Sequence, residues 1–572
     1  MAIVLIRGTN LAPSPKKPPL NRSFIYAVGF MYLVAFHVPL HHFTGTGLEL
    51  PSNVMSWISV SFCISIGLLQ SIRTKKVRYS KLSVGLLLCC ILMTFPVVYS
   101  QSSFEGSIYR ILALWGGFLL FLSIQQFIFS NKQKNRLIWF IVLACLLEGA
   151  IAYCQILTSE NLSTVNLWGV FPTANTFATF LSTGLLASGY LLCRHLKKYQ
   201  KQVSIASLLY LTPLVCIPLI ILTLSLIGWS SAILGICIIF PYLYRFASRK
   251  RLWGWSASTA TGIILGISTL CFFHPQPFHP DGLKGIEHLK VSLEQTSDMF
   301  IEKPFTGYGY GQFEEEYVLY SARQHQLNQS YPAPQPALTH PSNEILYWGI
   351  EGGILPVLAM LLAVLFILLR IYYAKSKTRL ATLSLLFPIA LHSQLDNVFA
   401  LSSIHWITFV ILLFWTDQRV AKYKNIDLKP IAIRLIHIII YILPATTCCY
   451  MGGVLATQYA LSQYKSTHDR RWLNIINHPF IWEDSLMQAR LAYALKKTET
   501  KQLDSFKPWL LNLIRREPRP EYYHSLINLY QKMGDINHAE QTRLEALYLF
   551  PDFEVQAIQK KTELQNKRII HN

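Results

Sequence analysis

Apolar residues fall in runs of about 20, separated by short polar turns, along most of the chain. A helix of that length spans a bilayer. Backbone groups in lipid must bond within their own segment, so these runs predict helices. They place about thirteen spans, at 24–40, 54–72, 82–99, 109–130, 137–157, 173–193, 204–222, 228–246, 253–273, 352–373, 380–398, 403–416 and 432–455. The seventh and eighth form one continuous apolar stretch that divides at Gly228. A transmembrane barrel would alternate apolar and polar residues over strands of about ten residues, a pattern unlike this one. The expectation is an all-α polytopic membrane protein.

Charge gives these helices a direction. The loop after span two carries Arg73, Lys75, Lys76, Arg78 and Lys81, and the loop after span four carries Lys132, Lys134 and Arg136. Arg194, Lys197, Lys198 and Lys201 follow span six, and Arg249, Lys250 and Arg251 follow span eight. Lys375, Lys377 and Arg379 follow span ten, and Arg419, Lys422, Lys424 and Lys429 follow span twelve. The intervening short loops hold almost no Lys or Arg, so the even-numbered loops are expected in the cytoplasm of a bacterial inner-membrane protein. This arrangement absorbs much of the formal net charge of +21 and argues against nucleic acid as a partner. Composition agrees, at 52% hydrophobic and only 14% charged.

The chain divides into a cytoplasmic tail (1–22), spans one to nine (23–273), a large periplasmic loop (274–342), spans ten to thirteen (343–456) and a periplasmic tail (457–572). No cleavage site follows the first span, so the N-terminal segment reads as retained. The cysteines, such as Cys63, Cys89, Cys90 and Cys216, sit almost entirely in apolar runs, with no zinc-site spacing and no disulfide framework. The large loop is polar, with an extended Pro-rich part at 331–336. In the tail, apolar positions recur at helical spacing, and Glu521–Leu549 predicts two amphipathic helices around Gly534. One such pair resembles a single tetratricopeptide unit, short of the three or more a solenoid needs.

Candidate chemistry concentrates where the large loop re-enters the membrane, at His340-Pro341-Ser342-Asn343-Glu344 followed by Glu351-Gly352-Gly353. An imidazole at a membrane face can take a proton from a hydroxyl. Asn343 and Glu344 could bind a ligand or start and cap a helix. His392 and Asp396 are four apart and expected to share one helix face inside span eleven, either as a functional pair or as a brace between helices. Outer-face cations are few: Arg110, Lys284, Lys290, Lys303 and Arg323. Arg110, at headgroup depth, could hold a phosphate or snorkel to the interface.

The signature around His340 resembles that of the O-antigen ligase/polymerase superfamily, in its branch of PglL-type, pilin-glycosylating protein O-oligosaccharyltransferases. Further pieces occur in the same order. Pro304 with Gly307-Tyr308-Gly309-Tyr310-Gly311 and Phe313 resembles that family's glycine run, and His392-Ser393 with Asp396, His405 and Trp406 its late histidine span. Trp168-Gly169 with Pro172, Asn175 and Ala178, and Phe36-His37 with Pro39, His41, His42 and Glu49, resemble two earlier outer-face motifs. Together they cover about residues 30–410. There are departures. The superfamily's Arg in the turn between spans seven and eight is absent from Ser225-Leu226-Ile227-Gly228, its second signature His is Ser342, and its late Glu is Asp396.

The resemblance implies a GT-C-like fold and transfer of an oligosaccharide from undecaprenyl pyrophosphate to a Ser or Thr hydroxyl of an exported, pilin-like protein. His340 would be the base. Arg110, Lys290, Lys303 and Arg323 would face the donor pyrophosphate, with Asn343, Glu344, His392, Asp396, Asn175, His42 and Glu49 in support. No metal or cofactor is implied, because the leaving group is already activated. Lipid A-core ligase and O-antigen polymerase are alternatives that differ in acceptor. A non-enzymatic transporter or degenerate glycolipid-binding paralogue is the other, for which the missing Arg at Leu226 is the main argument.

Overall fold

The computed structural model describes residues 19–38, 46–99, 102–158, 168–194, 203–273, 281–476, 479–497 and 503–553. Every expected span coincides with a helix. These are α1 (Asn21–Leu33), α2 (Pro51–Thr74), α3 (Lys81–Thr94), α4 (Phe104–Gln125), α5 (Asn131–Thr158), α6 (Ala174–Leu192), α7 (Val203–Leu222), α8 (Leu226–Phe246) and α9 (Arg249–Phe273). The later ones are α13 (Ile354–Tyr373), α14 (Ser376–His392), α15 (Ser403–Asp417) and α16 (Pro430–Thr467). Among the described residues nine helices are long and apolar enough to cross a membrane. The expected spans at α1, α6, α14 and α15 fall on helices outside that set. The fold is an all-α polytopic membrane protein.

The basic loops meet on one face. The only sheet among the described residues pairs β1 (Lys76–Tyr79) with β2 (Lys424–Asp427), which joins the loops after spans two and twelve. Arg78 donates its N–H to Gln126 (2.8 Å) and Nη1 to the Phe127 carbonyl (3.1 Å), bringing in the loop after span four. Arg251 donates to the Leu192 carbonyl at 3.1 Å, linking the loops after spans six and eight. Arg370, at the end of α13, pairs with Asp417 at 3.2 Å.

The opposite face carries a second body. The loop expected at 274–342 is not simply a polar connection. It contains α10 (Asp281–Glu302) and α11 (Phe313–Leu327), with Met299, Phe313, Tyr317, Val318 and Ala322 buried. Their helical spacing lies hidden among polar neighbours, and the segment Glu344–Gly352 together with the tail supplies the surfaces that bury them. The tail folds as α17 (Glu483–Lys497), α18 (Lys507–Arg516), α19 (Pro520–Met533) and α20 (Ile536–Leu549), the last two turning at Gly534 as expected. Leu491, Leu510, Tyr523 and Leu526 share one core with the α10–α11 residues. Arg519 donates to Glu314 at 2.9 Å across that seam. Residues 332–335 run without helix or strand, as their prolines predict.

Candidate functional site

A short helix, α12 (Glu344–Gly352), organises the site. Asn343 caps it, its side-chain oxygen accepting the Leu346 N–H at 2.9 Å. The Asn343 amide nitrogen donates to the Gln394 carbonyl (3.1 Å), and the Glu344 N–H donates to that of Ser393 (2.9 Å). Asn343 therefore acts as a cap and fixes the signature segment to the connection after α14.

That connection presents Asp396. The helix ends at His392, so the expected shared helix face is corrected: Asp396 lies one turn past the helix end, its N–H still bonded to the His392 carbonyl at 2.9 Å. The pair nonetheless meets, with His392 Nε2 at 3.5 Å from one Asp396 oxygen. His340 Nε2 lies 3.9 Å from the other. The His340 and Asp396 side chains are 21% and 16% exposed and His392 fully buried, so of the two imidazoles His340 is the accessible one. Burial pushes the Asp396 carboxyl up, but the contact and charge of His392, then the charge of His340, hold it below the usual range.

Glu344, the first residue of α12, is buried. Its Oε1 accepts the Trp348 indole N–H at 3.0 Å, and its Oε2 has no hydrogen-bond partner among the described residues. Burial pushes this carboxyl up to about 7, against the lowering influence of Trp348 and Arg110. Arg110 does not snorkel. It turns inward to pair with Glu351, with its guanidinium 4.2 Å from the ring centres of Tyr347 and Trp348 and 5.0 Å from that of Tyr310. Its Nη1 is buried without a hydrogen bond.

The glycine run explains how Glu351 is held. Gly311 has φ +78°, and its N–H donates to Glu351 Oε1 at 3.0 Å. A Cβ on Gly311 would stand 2.7 Å from the Cα of Gly106, at the start of α4. The Tyr308 and Gly309 N–H groups continue the contact, donating to the Ile350 and Glu351 carbonyls at 2.8 and 2.9 Å.

The other expected cations are not gathered here. Lys290 pairs with Glu294 at 3.7 Å, Arg323 donates to both Glu302 oxygens at 2.8 and 2.9 Å, and Lys303 lies 4.0 Å over the Tyr308 ring. Asn175 accepts the Ser225 hydroxyl at 2.7 Å, tying α6 to the turn that lacks the superfamily's Arg. In that turn Ser225 caps α8, and Leu226 is 53% exposed. Glu49 closes its own turn by accepting the Thr46 N–H at 3.0 Å. His42 and the Lys284 side chain lie outside the described residues.

Two partnerships were not anticipated. Glu351 was part of a motif without an assigned partner. Glu148, inside an apolar span, accepts from His37 at 2.6 Å and from the Val170 N–H at 3.1 Å. A lone carboxylate in an apolar run was the available signal, since such groups need a partner. His405 continues the line inward, 6.1 Å from the His392 ring and 5.4 Å from Phe171, which packs 5.2 Å from Phe36 beside His37.

Residues 380–565 match the family described as "virulence factor membrane-bound polymerase, C-terminal". The match begins inside α14, whose end carries His392, and runs through the Asp396 connection into most of the tail. It supports the O-antigen polymerase/ligase superfamily and, with it, a membrane enzyme of general glycosyltransferase type. No curated protein matches the chain.

Proposed function

We propose that this protein transfers an oligosaccharide from undecaprenyl pyrophosphate to a Ser or Thr hydroxyl of an exported protein, such as a pilin-like subunit, at the periplasmic face of a bacterial inner membrane. The observation that carries the reading is the accessible His340 ring set against Asp396. With its hydrogen on Nδ1, 3.3 Å from the Pro341 carbonyl, His340 offers the Nε2 lone pair. The acceptor hydroxyl oxygen bonds to the anomeric carbon, its proton passes to Nε2, and the bond to the lipid diphosphate breaks. The imidazolium so formed faces the Asp396 carboxylate, which stabilises it. Arg110, whose Nη1 has no hydrogen bond, is the leading candidate to meet charge on the departing diphosphate. Lys290, Lys303 and Arg323, each engaged elsewhere, are weaker candidates. The helical tail against the large loop favours a protein acceptor. The description of the matching family favours a second reading, polymerase, in which a glycan hydroxyl replaces the protein hydroxyl in the same step.

The test is His340→Ala, expressed with a matched donor and acceptor in a ligase-deficient host and read by intact acceptor mass. Loss of the glycan mass is expected. Unchanged glycosylation would remove His340 from the mechanism. Inactivity of the unmutated protein would favour a glycolipid-binding role, in keeping with Leu226 in place of the superfamily's Arg.

A further inference from the structure

On the basic face, the ends of four helices converge on one small region. Arg194, after α6, and Arg419, after α15, both stack on Tyr190, at 5.7 and 5.9 Å from its ring centre, and Arg419 also donates to the Tyr190 hydroxyl. Arg419 packs 4.7 Å from the Trp415 ring. Arg78, after α2, lies 3.8 Å over Tyr423. Lys134, at the start of α5, is half-buried within electrostatic reach of Arg419, Arg78 and Arg194. Among the described residues no carboxylate pairs with any of the four. The nearby Asp417 is taken by Arg370 (3.2 Å) and Gln125 (3.1 Å).

Like charges held this close repel, and the aromatic stacking fixes the arginines rather than letting them spread into water. The same spot concentrates buried polar atoms without hydrogen bonds: the donors Arg419 Nε, Gln418 Nε2 and the Tyr423 hydroxyl, and the acceptors Gln418 Oε1 and Asp417 Oδ1, the last ion-paired to Arg370. Buried polar groups are ordinarily paired, so the three orphaned donors, Arg419 Nε, Gln418 Nε2 and the Tyr423 hydroxyl, beside clustered cations mark the place of an anion. The cations lie where apolar spans end, at the depth of lipid headgroups.

We propose that Arg78, Lys134, Arg194 and Arg419 form a binding site for the phosphate of an anionic phospholipid headgroup in the leaflet on the basic face. The four helix ends would then be held together by a lipid rather than by a protein carboxylate.

The test uses full-length protein in a zwitterionic detergent, with native mass spectrometry of bound phosphatidylglycerol against phosphatidylcholine. Selective retention of phosphatidylglycerol is expected. Removing one cation should weaken it roughly fivefold, so Lys134→Gln with Arg194→Gln should weaken it about 25-fold. Equal retention of the two lipids by the unmutated protein would overturn the proposal, whether or not the variants fold. Unchanged selectivity in the folded double variant would do the same. Inorganic phosphate displacing the lipid at equal concentration would overturn the lipid source and leave a free-anion site.

Discussion

Glu344→Gln isolates one physical feature of the site. Glu344 is buried with one oxygen unpartnered, and its carboxyl is pushed from the ordinary 4.5 up to about 7. A raised carboxyl binds its proton more tightly in the folded chain than in the unfolded one. The resulting stability is fully present below pH 4.5 and is lost as pH rises through about 7. That interval, at about 1.4 kcal/mol per pH unit, corresponds to about 3 kcal/mol. Glutamine keeps an acceptor for the Trp348 indole and replaces the orphaned oxygen by a neutral amide, so it mimics the protonated form at every pH. Thermal unfolding of both proteins from pH 4.5 to 8 is the assay. The variant's melting temperature relative to wild type should rise with pH, most steeply between 5 and 7, by a few degrees in total. A difference independent of pH would refute the reasoning, because it would mean that Glu344 is ionised alike in both states.

Further outcomes follow from particular contacts. Arg110→Ala leaves Glu351 buried and unpaired and should destabilise by about 3–5 kcal/mol, whereas Arg110→Ala with Glu351→Ala should destabilise less, in denaturant or thermal unfolding. Asp396→Asn keeps the shape beside His340 but removes the charge facing its imidazolium, so glycan transfer should fall about 100-fold, with a modest fall in melting temperature from the lost contact to His392. Gly311→Ala forces a Cβ against Gly106 at a φ that alanine rarely adopts, and should lower stability by about 2–4 kcal/mol. Arg519→Ala leaves Glu314 unpaired at the seam between large loop and tail, and should speed limited proteolysis of the tail.

Periodicity and charge along the chain determined what did not depend on distant contacts. Apolar run length places a helix at every expected span, and the alternation of Lys and Arg separates two faces because each short loop follows its flanking helices. Local signals also sufficed for the cap at Asn343 and the turn at Gly534. The His340 segment was recognisable because its residues are contiguous. Tertiary structure alone decided which partners these groups take. Arg110 meets Glu351 across 241 positions of chain, and His37 meets Glu148 across 111, by helix packing that no local pattern encodes. It also turned part of a polar loop into α10 and α11, because their apolar faces are buried by α12 and the tail, which lie further along the chain. Lys290, Lys303 and Arg323 were plausible by side of membrane, but each found its neighbour within its own body. An apolar run announces itself to the solvent, whereas a buried ion pair exists only where the fold brings two distant charges out of water together.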